Sequence, residues 1–253
     1  MSVPPDCIRL FCFACSGASA MPFAAWRAAL PAWIDVQPVE LPGHGHRSGE
    51  PLQVDMPSLA ATLADELASL IDGPYLMLGH SVGGVVALEV AHALVARGLE
   101  APSALITVAS TAPSQRAGNP QAQPMSDAEL VAELQRLDGT PQVVLDDPEL
   151  LAMVLPVLRA DFLLGERHRP SCREPLPCAL HVFGGRDDSI AVGALAAWEM
   201  ECTGPFRMEM CAGGHFFLHR QRADFLRRLV TLAKAYRPSL ASSFLARAGL
   251  SHA

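Results

Sequence analysis

Gly79–His80–Ser81–Val82–Gly83 places a serine between two glycines in the pattern G-x-S-x-G, after an apolar run and ahead of a helical pattern. Two small residues allow a tight strand-to-helix turn that lifts the Ser81 hydroxyl out of the chain. The Val82 N–H, at the start of the helix, then points at the anion formed when that hydroxyl attacks a carbonyl. A serine hydroxyl is a weak nucleophile until a base takes its proton. Of nine histidines, only His215, His219 and His252 follow the last strand-like run. His215, in GGHFF, has glycines that let its loop carry an imidazole over the serine. His219 reads as the beginning of a helix, and His252 is the penultimate residue. His215 is therefore the expected base. An acid that orients the imidazole belongs in the loop after the preceding strand, where HVFGGRDDSI offers two. Counting G-x-x-D from Gly185 selects Asp188, and counting from Gly184 selects Asp187. Ile190, an apolar residue two positions on, favours Asp188. A second oxyanion donor is expected from the loop after the first strand, Ala14–Cys15–Ser16–Gly17–Ala18–Ser19, with the Cys15 N–H as the candidate.

The elements that must hold these groups follow from the apolar pattern. Strands are expected at Ile8–Ala14, Ile34–Leu41, Tyr75–Gly79, Ala104–Ala109, Cys178–Phe183 and Phe206–Met210. Helices are expected at Phe23–Leu30, Pro57–Ile71, Gly83–Arg97, Ala191–Glu201 and Arg220–Tyr236. Strands alternating with helices imply an α/β fold with a mainly parallel central sheet and helices on both faces. Continuous apolar strands such as LITVA suit a sheet covered on both sides. The chain of 253 residues reads as one domain. From about 113 to 170 the alternation breaks. A segment rich in Pro, Gln, Ser and Gly precedes helices across Ser126–Arg169. Ser126-x-x-Glu129 has the form of a capping box, and Asp147–Pro148 can open a second helix. A helical insertion there is expected to form a lid. Its face Leu150, Leu151, Val154, Leu155 and Leu158 would cover the substrate channel, with Pro156 a potential kink. The tail from about 238 to 253 holds a short apolar helix candidate, SSFLARAGL.

Composition excludes other classes. A net charge of −7 without a basic stripe argues against a nucleic-acid partner. No apolar run reaches the roughly 18 residues of a membrane span. Leu10–Cys15 followed by small residues resembles a secretory leader. However, Arg9 is the sole basic residue ahead of it and Asp6 offsets that charge, so a first buried strand is expected. Seven scattered cysteines, an odd number, fit a reducing cytoplasm. Cys12 and Cys15 form a C-x-x-C pair with no second pair at metal-ligand spacing, so burial is expected. His44 and His46 in LPGHGHR have one nearby downstream carboxylate, Glu50, and are read as loop residues; no metal is expected. His80 should pack beneath the serine turn.

Taken together, LFCFACSGASA with Trp26 downstream, VELPGHGHR, GHSVGG, LDGTPQVVLDDPELLAMVLPVLRADF, HVFGGRDD and GGHFFL resemble the type II thioesterases. These are free-standing editing enzymes of polyketide and nonribosomal peptide assembly lines. The resemblance runs from about Ile8 to Tyr236, and the middle segment, similar to the family's lid, is its most specific part. It implies an α/β-hydrolase fold and hydrolysis of acyl groups from the phosphopantetheine arm of an acyl or peptidyl carrier protein. That partner would bind transiently. It also implies no cofactor of the enzyme's own, a monomer, and Ser81, Asp188 and His215 as nucleophile, acid and base. The first loop departs from the family's Pro-x-Ala-Gly-Gly, since Ala14 and Ala18 replace its proline and second glycine. A small-molecule carboxylesterase with the same triad is the alternative, and a non-catalytic binding module on the same scaffold a third reading. Carrier proteins are usually acidic, so docking on this acidic chain would need a local surface. Arg159, Arg167 and Arg169 are candidates.

Overall fold

The computed structural model describes residues 6–116 and 118–237. In chain order the elements are β1 (Ile8–Phe13), α1 (Met21–Ala24), β2 (Ile34–Val39), α2 (Met56–Ala68), β3 (Tyr75–His80), α3 (Val82–Ala96) and β4 (Ala104–Val108). Then come α4 (Asp127–Leu137), α5 (Gln142–Leu145), α6 (Pro148–Arg167), β5 (Ala179–Gly185), α7 (Val192–Ala196), β6 (Phe206–Cys211), α8 (Phe217–Arg220) and α9 (Arg222–Ala233). The six strands form one parallel sheet in the order β2-β1-β3-β4-β5-β6. Alternation along β1 shows why both faces are covered. Phe11 and Phe13 enter one core with α2 and α3, while Ile8, Leu10 and Cys12 enter another against Phe23, Trp26 and Phe225.

All six expected strands are present, with ends shifted by up to two residues. The expected Phe23–Leu30 helix is instead one α turn, Met21–Ala24, running into a tighter 3-10 turn, Ala25–Ala28. The last helix begins earlier than expected and is interrupted at Gln221. The tail from 238 to 253, with its apolar helix candidate, lies outside the described residues. Among the described residues, no helix is long and apolar enough to cross a membrane.

The insertion contains α4, α5 and α6 and, among the described residues, no strand. Its caps form as the residue types dictate. Ser126 and Glu129 make a reciprocal capping box, and the Asp147 carboxylate accepts the Glu149 and Leu150 N–H groups. Helix α6 continues through Pro156. The expected apolar face divides. Leu155 and Leu158 pack on Leu130 and Leu134 of α4, Val154 and Leu158 face a cavity, and Leu150 is exposed. Further along, Leu164 belongs to the main core, so the C-terminal half of α6 is part of the body.

A charged cluster ties this junction to α3. Glu89 is buried and receives both guanidinium nitrogens of Arg173, with the His168 ring 3.3 Å away. Burial alone would raise the Glu89 pKa, but the His168 and Arg173 contacts outweigh it and hold it at about 2. The group is thus more acidic folded than unfolded. Its contribution is complete above the unfolded value of about 4.3 and is lost as pH falls towards 2. Glu89→Gln should flatten the pH dependence of urea unfolding in that window. Arg173→Met, which leaves the carboxylate buried and less compensated, should cost on the order of 2 kcal/mol at pH 7.

Candidate active site

Ser81 sits between β3 and α3 with φ 56° and ψ −121°, a conformation that side chains rarely adopt. Its flanking glycines make the turn possible. A Cβ on Gly79 would lie 2.1 Å from the Gly83 carbonyl oxygen, and one on Gly83 would lie 2.3 Å from that of Ala14. The first turn of α3 is therefore pressed against the end of β1, which brings the Cys15 loop beside the serine. The Ser81 N–H donates to Val108 O at 2.9 Å, and Ser110 Oγ donates to Ser81 O at 2.7 Å. The turn is held from below while the hydroxyl faces the cavity.

His215 follows β6 and Asp188 follows β5. The imidazole Nδ1 lies 2.9 Å from Asp188 Oδ2, and both side chains are almost fully buried. Asp187 is exposed, and its N–H donates to Gly213 O at 3.0 Å, lacing the two loops together. The approach demands glycine at 185, where a Cβ would lie 2.5 Å from Gly213 O. Burial works to raise the Asp188 pKa. The hydrogen bond and charge of His215, with the N–H groups of Ser189 and Ile190, more than offset it and lower it overall. An ionised carboxylate at Nδ1 leaves Nε2 as the ring's proton acceptor. Among the described residues, no hydrogen bond joins the Ser81 hydroxyl to His215, although both line one cavity. Such bonds commonly tighten only with substrate bound.

Cys15, Ser81, Val82 and His215 share a cavity of about 830 Å³. Burial pushes the Cys15 thiol up to about 12, so at neutral pH only its backbone N–H is suited to the chemistry. Helices α4 and α6 roof the cavity, and the turn after α4 touches its rim. Arg136 donates to Ser189 Oγ at 2.6 Å, and Gly139 packs so tightly on Phe216 that a Cβ would overlap the ring.

Several residues stand differently from the sequence reading. His44 is buried rather than a plain loop residue. Its Nε2 lies 2.9 Å from Asp161 of α6, a residue the sequence did not single out. Asp161 was recognisable only as an acid three residues beyond Leu158, on a helix face otherwise apolar. Arg116 also lines the cavity unannounced. Of the candidate docking arginines, Arg159 donates to Met125 O, Arg167 to Ala122 O and Arg169 to Gly118 O, and Arg169 remains exposed. His80 packs beneath the turn, its Nε2–H donating to His215 O at 3.0 Å, and burial keeps its pKa well below the usual histidine range.

A serine on a glycine-bounded elbow, facing a buried His–carboxylate pair across one cavity at the C-terminal edge of a parallel sheet, defines an α/β hydrolase by its architecture. The chain belongs to the thioesterase family: the Thioesterase domain matches residues 8–232. It is 30% identical over 220 residues to the gramicidin S biosynthesis protein GrsT of Aneurinibacillus migulanus, covering 87% of this chain and 86% of that one. Among solved structures it resembles the type II thioesterase BorB from the borrelidin biosynthetic cluster, with a TM-score of 0.80, 33% identity and coverage of 91% and 94%. RedJ, a thioesterase from the prodiginine pathway in Streptomyces coelicolor, is similar with a TM-score of 0.82, 32% identity and coverage of 91% and 93%.

Asp188→Asn should lower kcat on a small activated thioester by roughly 10²–10⁴-fold. Asp187→Asn should stay within about twofold of the parent. Steady-state rates on variants shown folded by circular dichroism check both, and comparable losses would contradict the assignment of Asp188.

Proposed function

We propose that this chain is an editing, type II thioesterase. It would remove stalled or wrong acyl groups from the phosphopantetheine arm of a carrier protein in polyketide or nonribosomal peptide biosynthesis. The observation that carries this reading is the His215–Asp188 pair at 2.9 Å, facing the cavity that holds Ser81 beneath an α-helical insertion. Family membership narrows the electrophile to a thioester.

The steps follow from the groups present. Ser81 Oγ attacks the thioester carbonyl while His215 Nε2 takes its proton, and Asp188 stabilises the imidazolium. The N–H groups of Val82 and Cys15 hold the tetrahedral oxyanion. The intermediate collapses, His215 returns its proton to the departing thiolate, and the acyl group remains as an ester on Ser81. Water, deprotonated by His215, attacks that ester and releases the acid and the free hydroxyl. No step calls for a cofactor. The insertion would act as the lid, with Val154 and Leu158 on the acyl side of the cavity. The enzyme would work as a cytoplasmic monomer that meets its carrier protein transiently. Among the three candidate docking arginines, Arg169 is exposed, whereas Arg159 is paired with Asp127.

A thioester on a carrier protein should be hydrolysed with at least tenfold higher kcat/KM than the same acyl group on a short free thiol. The carbonyl chemistry is identical, so the difference measures binding of the arm and the protein surface. Both substrates are compared at a matched acyl group, then again at raised salt. Equal efficiency would replace this reading with the general carboxylesterase.

A further inference from the structure

The loop after β1 is fixed by two carboxylates that come from different parts of the molecule. At its far end, Glu40, which follows β2, accepts from Ser19 Oγ at 2.6 Å and from the Ala20 N–H at 2.8 Å. At its middle, the Gly17 N–H donates to Asp161 Oδ2 at 2.7 Å. Asp161 belongs to α6, on the insertion, and only 2% of its surface is exposed. The same oxygen receives His44 Nε2 at 2.9 Å, while His44 Nδ1 lies 3.1 Å from the Pro42 carbonyl. A carbonyl and an ionised carboxylate can only accept, so both ring nitrogens must carry protons when both bonds are made. His44 and Asp161 then form a buried ion pair. Burial disfavours charge on His44, yet the bonds to Asp161 and Pro42 raise its pKa overall.

We infer that Asp161 is a positioning residue: by holding the Gly17 N–H it sets the oxyanion loop, and so the Cys15 N–H, against Ser81. This rests on the reading above that the loop supplies an oxyanion donor. Four points support it. The sequence of the loop, Ala-Cys-Ser-Gly-Ala-Ser, contains no proline to stiffen it. Gly17 adopts φ 74°, and a Cβ there would press on Leu158 Cδ1 at 3.0 Å. Leu158 and Asp161 are one helical turn apart, so a single face of α6 both packs on the loop and bonds to it. Finally, a buried ion pair is a poor stabiliser compared with an apolar pair of similar size, so its charge calls for a reason other than stability. Asp161 lies in the half of α6 that belongs to the body, one turn from Leu158, which faces the cavity, so the support of the loop and the roof over the cavity share one helix.

The test compares Asp161→Leu with Asp161→Asn, whose amide oxygen can still accept from Gly17. Melting curves establish that each is folded. On a small activated thioester the leucine variant should lose roughly 10- to 100-fold in kcat with KM within about twofold, and the asparagine variant should recover most of the loss. A boronic acid, which mimics the tetrahedral anion on Ser81, should bind the leucine variant more weakly by a similar factor. A non-hydrolysable amide analogue of the substrate should bind it unchanged. If the leucine variant does not fold, Asp161→Ser, too short to reach Gly17, gives the same comparison. A folded leucine or serine variant with parental kcat and boronate affinity overturns the inference. So does a rise in KM alone. A parent enzyme that forms no boronate adduct, or a Ser81→Ala variant that still turns over, would instead overturn the underlying reading of the site.

Discussion

The geometry of this site depends on one close approach, that of the first turn of α3 to the ends of β1 and β3. Only glycine at 79 and 83 permits it, since a methyl group at either position would occupy space already filled by backbone. The approach has two consequences. It forces Ser81 into a rarely populated conformation that raises the hydroxyl above the sheet. It also sets the start of α3 beside the loop leaving β1, so that two backbone N–H groups from different segments can converge on one point. The strain at Ser81 is supported by the bonds from its own N–H to Val108 and from Ser110 to its carbonyl. A hydroxyl held in this way needs no rearrangement to meet the cavity.

The same economy recurs at the other loops. Parallel strands end on the same edge of the sheet, so the segments after β1, β3, β5 and β6 become neighbours without any long connection. Past the strand ends, backbone bonds from Arg186 to Cys211 and from Asp187 to Gly213 continue the ladder and bring Asp188 to His215. The bare α-carbon of Gly185 lets the two loops touch. The insertion then closes over this edge, anchored in the body by Leu164 and by the Glu89 cluster at its C-terminal end. Its α4 end meets the rim through Arg136, Ser189, Gly139 and Phe216.

Much of this was legible in the sequence because it is locally encoded. Continuous apolar runs announced the six strands, and glycines flanking Ser81 and His215 announced the turns. Ser126 with Glu129, and Asp147 with Pro148, announced the helix starts. Choosing between Asp187 and Asp188 by counting was ambiguous, because the answer lies in how the loop folds back on Gly213. The contacts of Asp161 were not legible at all. Its partners Gly17 and His44 are 144 and 117 residues away, and nothing in their spacing marks a shared carboxylate. For the same reason, the bonds from Arg159, Arg167 and Arg169 to carbonyls of residues 118–125 were not legible either.

The central claim is that the acyl group passes through a covalent ester on Ser81. Rapid mixing of the enzyme with an acyl-loaded carrier protein, acid quenching and mass analysis of the peptide spanning Ser81 measure this directly. The account predicts a mass increase equal to the acyl group on that serine. The adduct should form no slower than free acid is released, and it should be absent in Ser81→Ala. Steady release of acid with Ser81 unmodified at every time point, in an enzyme whose turnover survives loss of the hydroxyl, would contradict it.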